Sequence, residues 1–265
     1  MSKSPIKWVG GKGAIAGEIV RYFPNNFRRY YEPFLGGGAI FFSLRPQEAY
    51  LSDINGELVN CFWSIRDRLG EVIERLVEHE ASHEKEYYYE QRSLYGYGDD
   101  AERAARFIYL LKTCFNGLHR LNRDGRFNVS IGRQKRKPTI CDIPVLQAAS
   151  ESLQNAVLIE ASFLETLAWP QEEDLVYLDP PYHMKYASYN GVNTFTDIDH
   201  KVLSRKFKEL ADRGVKLALS NSDTLFCREL YEGFRIVSIE APVRLGASKD
   251  SRKKAPEILV LANLD

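Results

Sequence analysis

The sequence predicts an α/β fold in which a mainly parallel β-sheet is covered by helices on both faces. Three observations lead there. Seven short runs are rich in β-branched, aromatic and aliphatic residues. Stretches with apolar residues three and four positions apart lie among them, the alternation that builds parallel sheets. From about Glu57 to Pro144 the alternation stops, and an insert that is first helical, then tyrosine-rich, then basic interrupts the α/β body.

The elements follow in order. "YYEPF" (30–34) and "AYLSD" (49–53) read as the first two strands, and "AVLIEASF" (156–163) and "DLVYLDPP" (174–181) as the next two. "VKLALSN" (215–221), "RIVSIEAPV" (235–243) and "EILVLAN" (257–263) complete the set. After Gly56, Leu58, Phe62, Ile65, Leu69, Val72 and Leu76 fall at helical spacing. The same period returns in "AERAARFIYLLKTCF" (101–115) and in "DHKVLSRKFKELADRG" (199–214), where Gly214 is placed to close the helix. The predicted organisation is a body of residues 1–56 and 145–265 carrying an insert of residues 57–144.

Composition narrows the function classes. The chain has 265 residues, formal net charge zero, and four scattered cysteines (Cys61, Cys114, Cys141, Cys227) with no zinc or redox spacing. No run is long and apolar enough to span a membrane, and a signal peptide's apolar region is lacking. A cytoplasmic protein without a structural metal or obligate protein partner is expected. The neutral total hides segregation. Arg120, Arg123, Arg126, Arg133, Lys135, Arg136 and Lys137 are opposed only by Asp124, and Arg252, Lys253 and Lys254 form a second basic group. Gathered positive charge attracts phosphate even in a neutral chain.

The stretch "DLVYLDPPYHMKYASY" carries the chemistry. Leu175, Val176, Tyr177 and Leu178 suit a buried strand, and Pro180 and Pro181 have no N–H for a neighbour, so pairing ends there. Asp179 and Tyr182 are left at the lip of the sheet. "EPFLGGGAIFFSL" opens a strand into Gly36, Gly37 and Gly38 before an apolar helix, which permits close approach of a ligand. Asp53 ends the next strand, where a carboxylate commonly receives ribose hydroxyls. "IKWVGGKG" does not meet the spacing of a phosphate-binding P-loop, and "FLGGGAIF" lacks the GxGxxG of a nicotinamide dehydrogenase.

Together "KWVGGKG", "EPFLGGGAIFF", "LSDIN", "FNGLHRLNRDGRFNVSIGR", "DPPY", "LSNSDT" and "SRKKAPEIL" resemble, in content and order, the DNA adenine-N6 methyltransferases of the Dam family (D12 class). The resemblance covers nearly the whole chain. It implies a Rossmann-like S-adenosylmethionine-dependent methyltransferase sheet and makes residues 57–144 a target-recognition domain with a β-hairpin. S-adenosylmethionine would be held by Trp8, Gly11, Lys12, Glu32, Phe34, Gly36, Asp53, Ser162, Phe163 and Asp179, and leave as S-adenosylhomocysteine. Asp179, Pro180, Pro181 and Tyr182 would be the catalytic motif.

The physical requirements agree with this assignment. The exocyclic amine of adenine is a poor nucleophile because its lone pair is delocalised into the ring. The Asp179 carboxylate and the Pro180 carbonyl, both accepting from the amine, would localise that lone pair and offset charge developing on nitrogen. Tyr182 would stack on a base that has left the duplex. The chemistry calls for no metal.

Double-stranded DNA is the implied partner. In the hairpin, Phe115 would be a stacking wedge, Asn116 and Leu118 neighbours of the target pair, and Arg120 a guanine reader, with Lys7 at the other edge. Arg133, Lys135 and Lys137 would hold phosphate, and 5′-GATC-3′ is the implied target. Phe115 replaces a more usual tyrosine, and His119 stands where a small residue is common. The competing readings are a methyltransferase acting on cytosine-N4 or RNA adenine, and a DNA-binding module on a methyltransferase scaffold. Asp179, where cytosine-N4 enzymes more often carry serine, and the Dam-type hairpin favour duplex adenine.

Overall fold

A computed structural model describes residues 3–133, 138–183, 195–241 and 255–264. Its elements run α1 (Ala16–Val20), β1 (Tyr30–Glu32), α2 (Ala39–Leu44), β2 (Ala49–Asp53), α3 (Gly56–Asp67), α4 (Leu69–Ala81), α5 (Lys85–Ser93) and α6 (Asp100–Thr113). Then come α7 (Ile143–Leu153), β3 (Ala156–Glu160), α8 (Phe163–Thr166), β4 (Leu175–Leu178), α9 (Asp197–Asp212), β5 (Lys216–Ser222), α10 (Leu225–Leu230), β6 (Arg235–Ala241) and β7 (Ala255–Ala262).

All seven expected strands join one sheet in the order β3-β2-β1-β4-β5-β7-β6. β1 through β5 pair in parallel, and β7 runs antiparallel between β5 and β6. The chain leaves β1 outward through β2 to β3, then returns to β4 and proceeds the other way. The order therefore reverses between β1 and β4, and a doubly wound sheet forms its ligand crevice at the carboxyl ends of such a pair. The segments after β1 and β4 are the glycine loop and Asp179–Tyr182.

Two apolar layers explain why the sheet stays together. Tyr30, Phe41, Phe42, Leu51, Phe62, Ile65 and Tyr177 belong to one, which continues without a break into Leu76, Tyr88 and Tyr109 of the helical region. Tyr31, Val176, Leu178, Leu203, Phe207, Leu217 and Val260 build the other. The alternation of Tyr30 and Tyr31 between the layers is the period-two rule of a strand buried on both faces.

Local chemistry sets the helix ends. Asp99 and Glu102 form a capping box at α6, and Thr196 and Asp199 do the same at α9. Gly214, at φ +78, follows α9 as expected. Two expectations are corrected. The run from Leu58 to Leu76 is two helices, broken at Arg68 with φ −131°. "AVLIEASF" does not stay extended, because Ser162 caps α8, which begins at Phe163.

Candidate active site

At the carboxyl ends of β1, β2 and β4 lies a cavity of about 1460 Å³. Its walls include Trp8, Gly11, Lys12, Glu32, Phe34, Gly36, Asp53, Ser162, Phe163, Asp179, Pro180, Pro181 and Tyr182. Every residue the sequence nominates for donor or catalysis is thus brought to one place. From the hairpin, Leu118 and Arg120 also reach the wall.

The end of β4 holds a charged cluster. Lys12, only 7% exposed, lies with its Nζ 2.8 Å from Asp179 Oδ1, an ion pair rather than an aligned hydrogen bond. The same ammonium donates to the Gly10 carbonyl at 3.0 Å and sits 4.5 Å from the centre of the Tyr182 ring. Burial pushes the Asp179 carboxyl above its ordinary value, and the Lys12 charge opposes the shift. Tyr182 is buried, and its hydroxyl donates to Glu257 on β7 at 2.9 Å. Lys12, expected against the donor, lies against Asp179. Pro180 is buried, whereas Pro181 is exposed.

Glu32, at the end of β1, is 2% exposed. Its Oε2 accepts from the Tyr30 hydroxyl at 2.8 Å and from the Phe41 N–H at 3.2 Å. Burial pushes this carboxyl up to about 8, helped by the nearby Asp179 charge. A carboxyl with a raised folded-state pKa binds a proton that the unfolded chain has already released. It therefore destabilises the fold progressively as pH rises from about 5 to 8, by at most about 1.4 kcal/mol per pH unit. The expected result is that Glu32→Gln flattens the fall in stability between pH 5 and 8, read by denaturant titration. The raised Asp179 and Asp53 keep part of the slope, but an unaltered slope would contradict the assignment to Glu32.

Asp53 ends β2 half-buried. Its Oδ2 accepts from Gly36 N–H and its Oδ1 from Asn55 N–H, each at 3.0 Å, while Asn55 itself caps α3. Asp53 is thus a brace between the glycine loop and the start of α3, with one further lone pair on each oxygen. Phe34 and Phe163 stack at 5.3 Å between centroids. Phe195, one residue before the α9 cap, closes the group at 5.8 Å from Phe34 and 5.7 Å from Phe163. The Ser162 hydroxyl is engaged in the α8 cap with Glu165.

The glycine loop departs from the expectation in one respect. Gly36 (φ +46) and Gly37 admit protein rather than leaving open space: a Cβ at Gly36 would lie 2.9 Å from Trp8 Nε1, and one at Gly37 would lie 3.0 Å from Trp8 Cβ. The N-terminal segment is packed onto this loop.

The hairpin stands at the cavity mouth. Phe115 is 52% exposed and Asn116 adopts φ +56 in the turn that follows α6. Leu121 bridges to Phe127, and the Asn128 N–H donates to the Arg120 carbonyl at 3.1 Å. The Arg120 side chain is exposed, its Nε donating to Asn128 Oδ1 at 2.7 Å. A Cβ at Gly117 would lie 2.7 Å from Lys7 Cδ, so Lys7 lies against the hairpin turn as well as at the N-terminus. Arg133 is exposed. Lys135 and Lys137, with Arg136 and the basic group at Arg252, Lys253 and Lys254, lie outside the described residues.

Sequence reasoning missed Phe195 and Glu257. A glutamate inside the otherwise apolar β7 was a usable signal. Phe195 offered a weaker one, as the residue before a capping box, where its ring meets His200 at 4.7 Å in a hydrophobic staple. Among the described residues no group of three or more His, Cys, Asp or Glu is placed to hold a metal ion, and no helix is long and apolar enough to cross a membrane.

A family model for the D12 class N6 adenine-specific DNA methyltransferases matches residues 8–245. A type II methyltransferase, M1.LlaDCHI of Lactococcus lactis subsp. cremoris, is 38% identical over 269 residues, spanning 96% of this chain and 93% of the relative. M.MjaIII, a type II methyltransferase of Methanocaldococcus jannaschii, is 34% identical over 97% of this chain and 98% of its own length. The DNA adenine methylase of Vibrio cholerae serotype O1 is 33% identical, with 97% of this chain and 94% of the relative covered.

Proposed function

The chain belongs to the D12 class of N6 adenine-specific DNA methyltransferases, and from that premise we propose that it methylates adenine in 5′-GATC-3′ after the base has left the duplex. The family and the Rossmann-like sheet imply S-adenosylmethionine as donor, which supplies an electrophilic methyl group on a sulfonium. The residues fit that group. Asp53 keeps acceptor capacity at the end of β2, where ribose hydroxyls bind in doubly wound sheets. Phe34, Phe163 and Phe195 offer aromatic surface for a purine, and Glu32 and Asp179 offer carboxyl groups to a cation.

Asp179 accepts from the adenine amine and is the observation that carries the reading. It follows β4 at the switch point, half-buried among Lys12, Tyr182 and Glu32. Burial raises the Asp179 carboxyl, and the Lys12 ammonium opposes that shift and so favours the anion that the acceptor role requires. Tyr182, held at its hydroxyl by Glu257, presents its ring to the base. Lys12 must share Asp179 with the arriving amine, since its ammonium faces the same carboxylate and the same ring.

Site choice falls to the hairpin. Exposed Phe115 suits a wedge that offsets part of the unstacking cost, and Arg120 suits the O6 and N7 acceptors of guanine. Arg133 and the lysines after it would hold phosphate without reading sequence.

The test is digestion of plasmid DNA from cells expressing the chain, using enzymes that cut GATC only when it is methylated or only when it is not. Cleavage that reports unmethylated GATC would refute the target. Arg120→Ala should cost roughly 1–3 kcal/mol of discrimination at one base pair, read as relative turnover on singly altered duplexes. A uniform loss across all duplexes would make Arg120 a phosphate clamp instead.

A further inference from the structure

His119 is the residue that the proposed chemistry leaves without a role, and it occupies a junction. Its ring stacks on Trp8 at 5.6 Å between centroids and 24° between planes. The Tyr95 hydroxyl meets its Nε2 at 2.8 Å, and the Tyr95 ring in turn stacks on Phe127 at 5.4 Å. Phe127 lies on the returning limb of the hairpin, bridged to Leu121. Burial pushes His119 down to about 4, so the ring is a neutral imidazole near pH 7 that shares one hydrogen bond with the Tyr95 hydroxyl at Nε2.

Trp8 is shared between two sites. Its stacking partner His119 sits between Leu118 and Arg120, while its pyrrole edge rests on Gly36 so closely that a Cβ there would be 2.9 Å away. Close-packed contacts of this kind transmit displacement because they leave no slack. Any adjustment of Gly36 and Gly37 to a bound donor must move Trp8 or be resisted by it, and Trp8 bears directly on the hairpin.

We infer that His119 is a positioning residue which, through Trp8, couples occupancy of the donor site to the target-reading hairpin. The inference rests on the donor and hairpin roles proposed above. It also accounts for the size of the residue: a small side chain at 119 would leave the indole without a partner on the hairpin side. The coupling is reciprocal, so the factor by which donor changes duplex affinity equals the factor by which duplex changes donor affinity.

The experiment measures the affinity of a GATC duplex, by fluorescence anisotropy, with and without saturating S-adenosylhomocysteine. The ratio of the two affinities is the readout. The wild-type ratio is expected to differ from unity by about 5-fold or more. His119→Ala brings it to within about twofold of unity, and Tyr95→Phe, which keeps every ring and removes only the hydrogen bond, moves it the same way. A loss of stability or of general affinity lowers both measurements and leaves the ratio intact, so a merely structural role would not move it. If His119→Ala does not fold, Tyr95→Phe decides. A ratio unchanged in the folded variants, or a wild-type ratio of one, overturns the inference while leaving the functional reading standing. Failure of the wild-type protein to bind either S-adenosylhomocysteine or duplex overturns the functional reading, and the inference with it.

Discussion

Asp179→Ala is expected to lower methyl transfer by roughly 10²–10³, the usual effect of removing one preorganised partner of developing charge. Donor binding should fall far less than turnover, because the aromatic group and Asp53 are untouched and only one of the two nearby carboxyl groups is lost. Stability is the competing explanation and must be measured in parallel. Lys12 is buried against Asp179, and stripping a buried cation of its carboxylate costs about 3–5 kcal/mol. Asp179→Asn keeps the size of the side chain but leaves Lys12 without its counter-charge as Asp179→Ala does, so the stability of each variant decides how much of the loss is folding. Initial rates of methyl incorporation, with melting curves on each variant, give the answer. Near-normal turnover by a folded Asp179→Asn or Asp179→Ala protein would sink the proposed mechanism.

The second large effect is expected at Gly36. Its φ of +46 and the 2.9 Å approach to Trp8 act together in Gly36→Ala, because neither the backbone nor the indole can relieve the other. A non-glycine residue in this region costs roughly 1–3 kcal/mol. Release of Trp8 should carry the change into the loop that Asp53 braces, so donor affinity should fall by about tenfold or more. Calorimetry with S-adenosylhomocysteine reads it directly. Gly13→Ala is the matched control, since a Cβ there meets nothing within 4 Å. Equal donor affinities for the two variants would show that the Trp8–Gly36 contact has no bearing on the site.

Most of the sheet was legible because its strands are short, apolar and bounded by residues that cannot continue them. Leu175 to Leu178 followed by two prolines left one reading for the end of β4, and the switch point then placed Asp179. The glycine loop and Asp53 were legible for the same reason. Helix limits were less so: Leu58 to Leu76 keeps an unbroken apolar period, and nothing in that period marks Arg68 as a bend. The extended reading of "AVLIEASF" failed where a local hydrogen bond, Ser162 with Glu165, overrode β-propensity. Pairings between distant segments were not legible at all. That Lys12 meets Asp179, or that Glu257 holds Tyr182, depends on which loops the sheet order brings together. The same is true of Trp8, whose neighbours Gly36 and His119 come from the glycine loop and the hairpin.

The position of β7 has a consequence for how the protein is made. β7 is the last of the seven strands in sequence, yet it lies inside the sheet, pairing with β5 on one side and β6 on the other. Until residue 262 has left the ribosome, β5 and β6 cannot acquire their shared neighbour, and both present unpaired strand edges. Glu257 arrives with that same strand, so Tyr182 gains that hydrogen bond only then. Assembly of this half of the sheet and formation of the Tyr182–Glu257 hydrogen bond are therefore one event in the life of the nascent chain. A polypeptide halted short of β7 would carry Asp179 and the glycine loop while exposing a sticky edge, a target for chaperones rather than a partial enzyme.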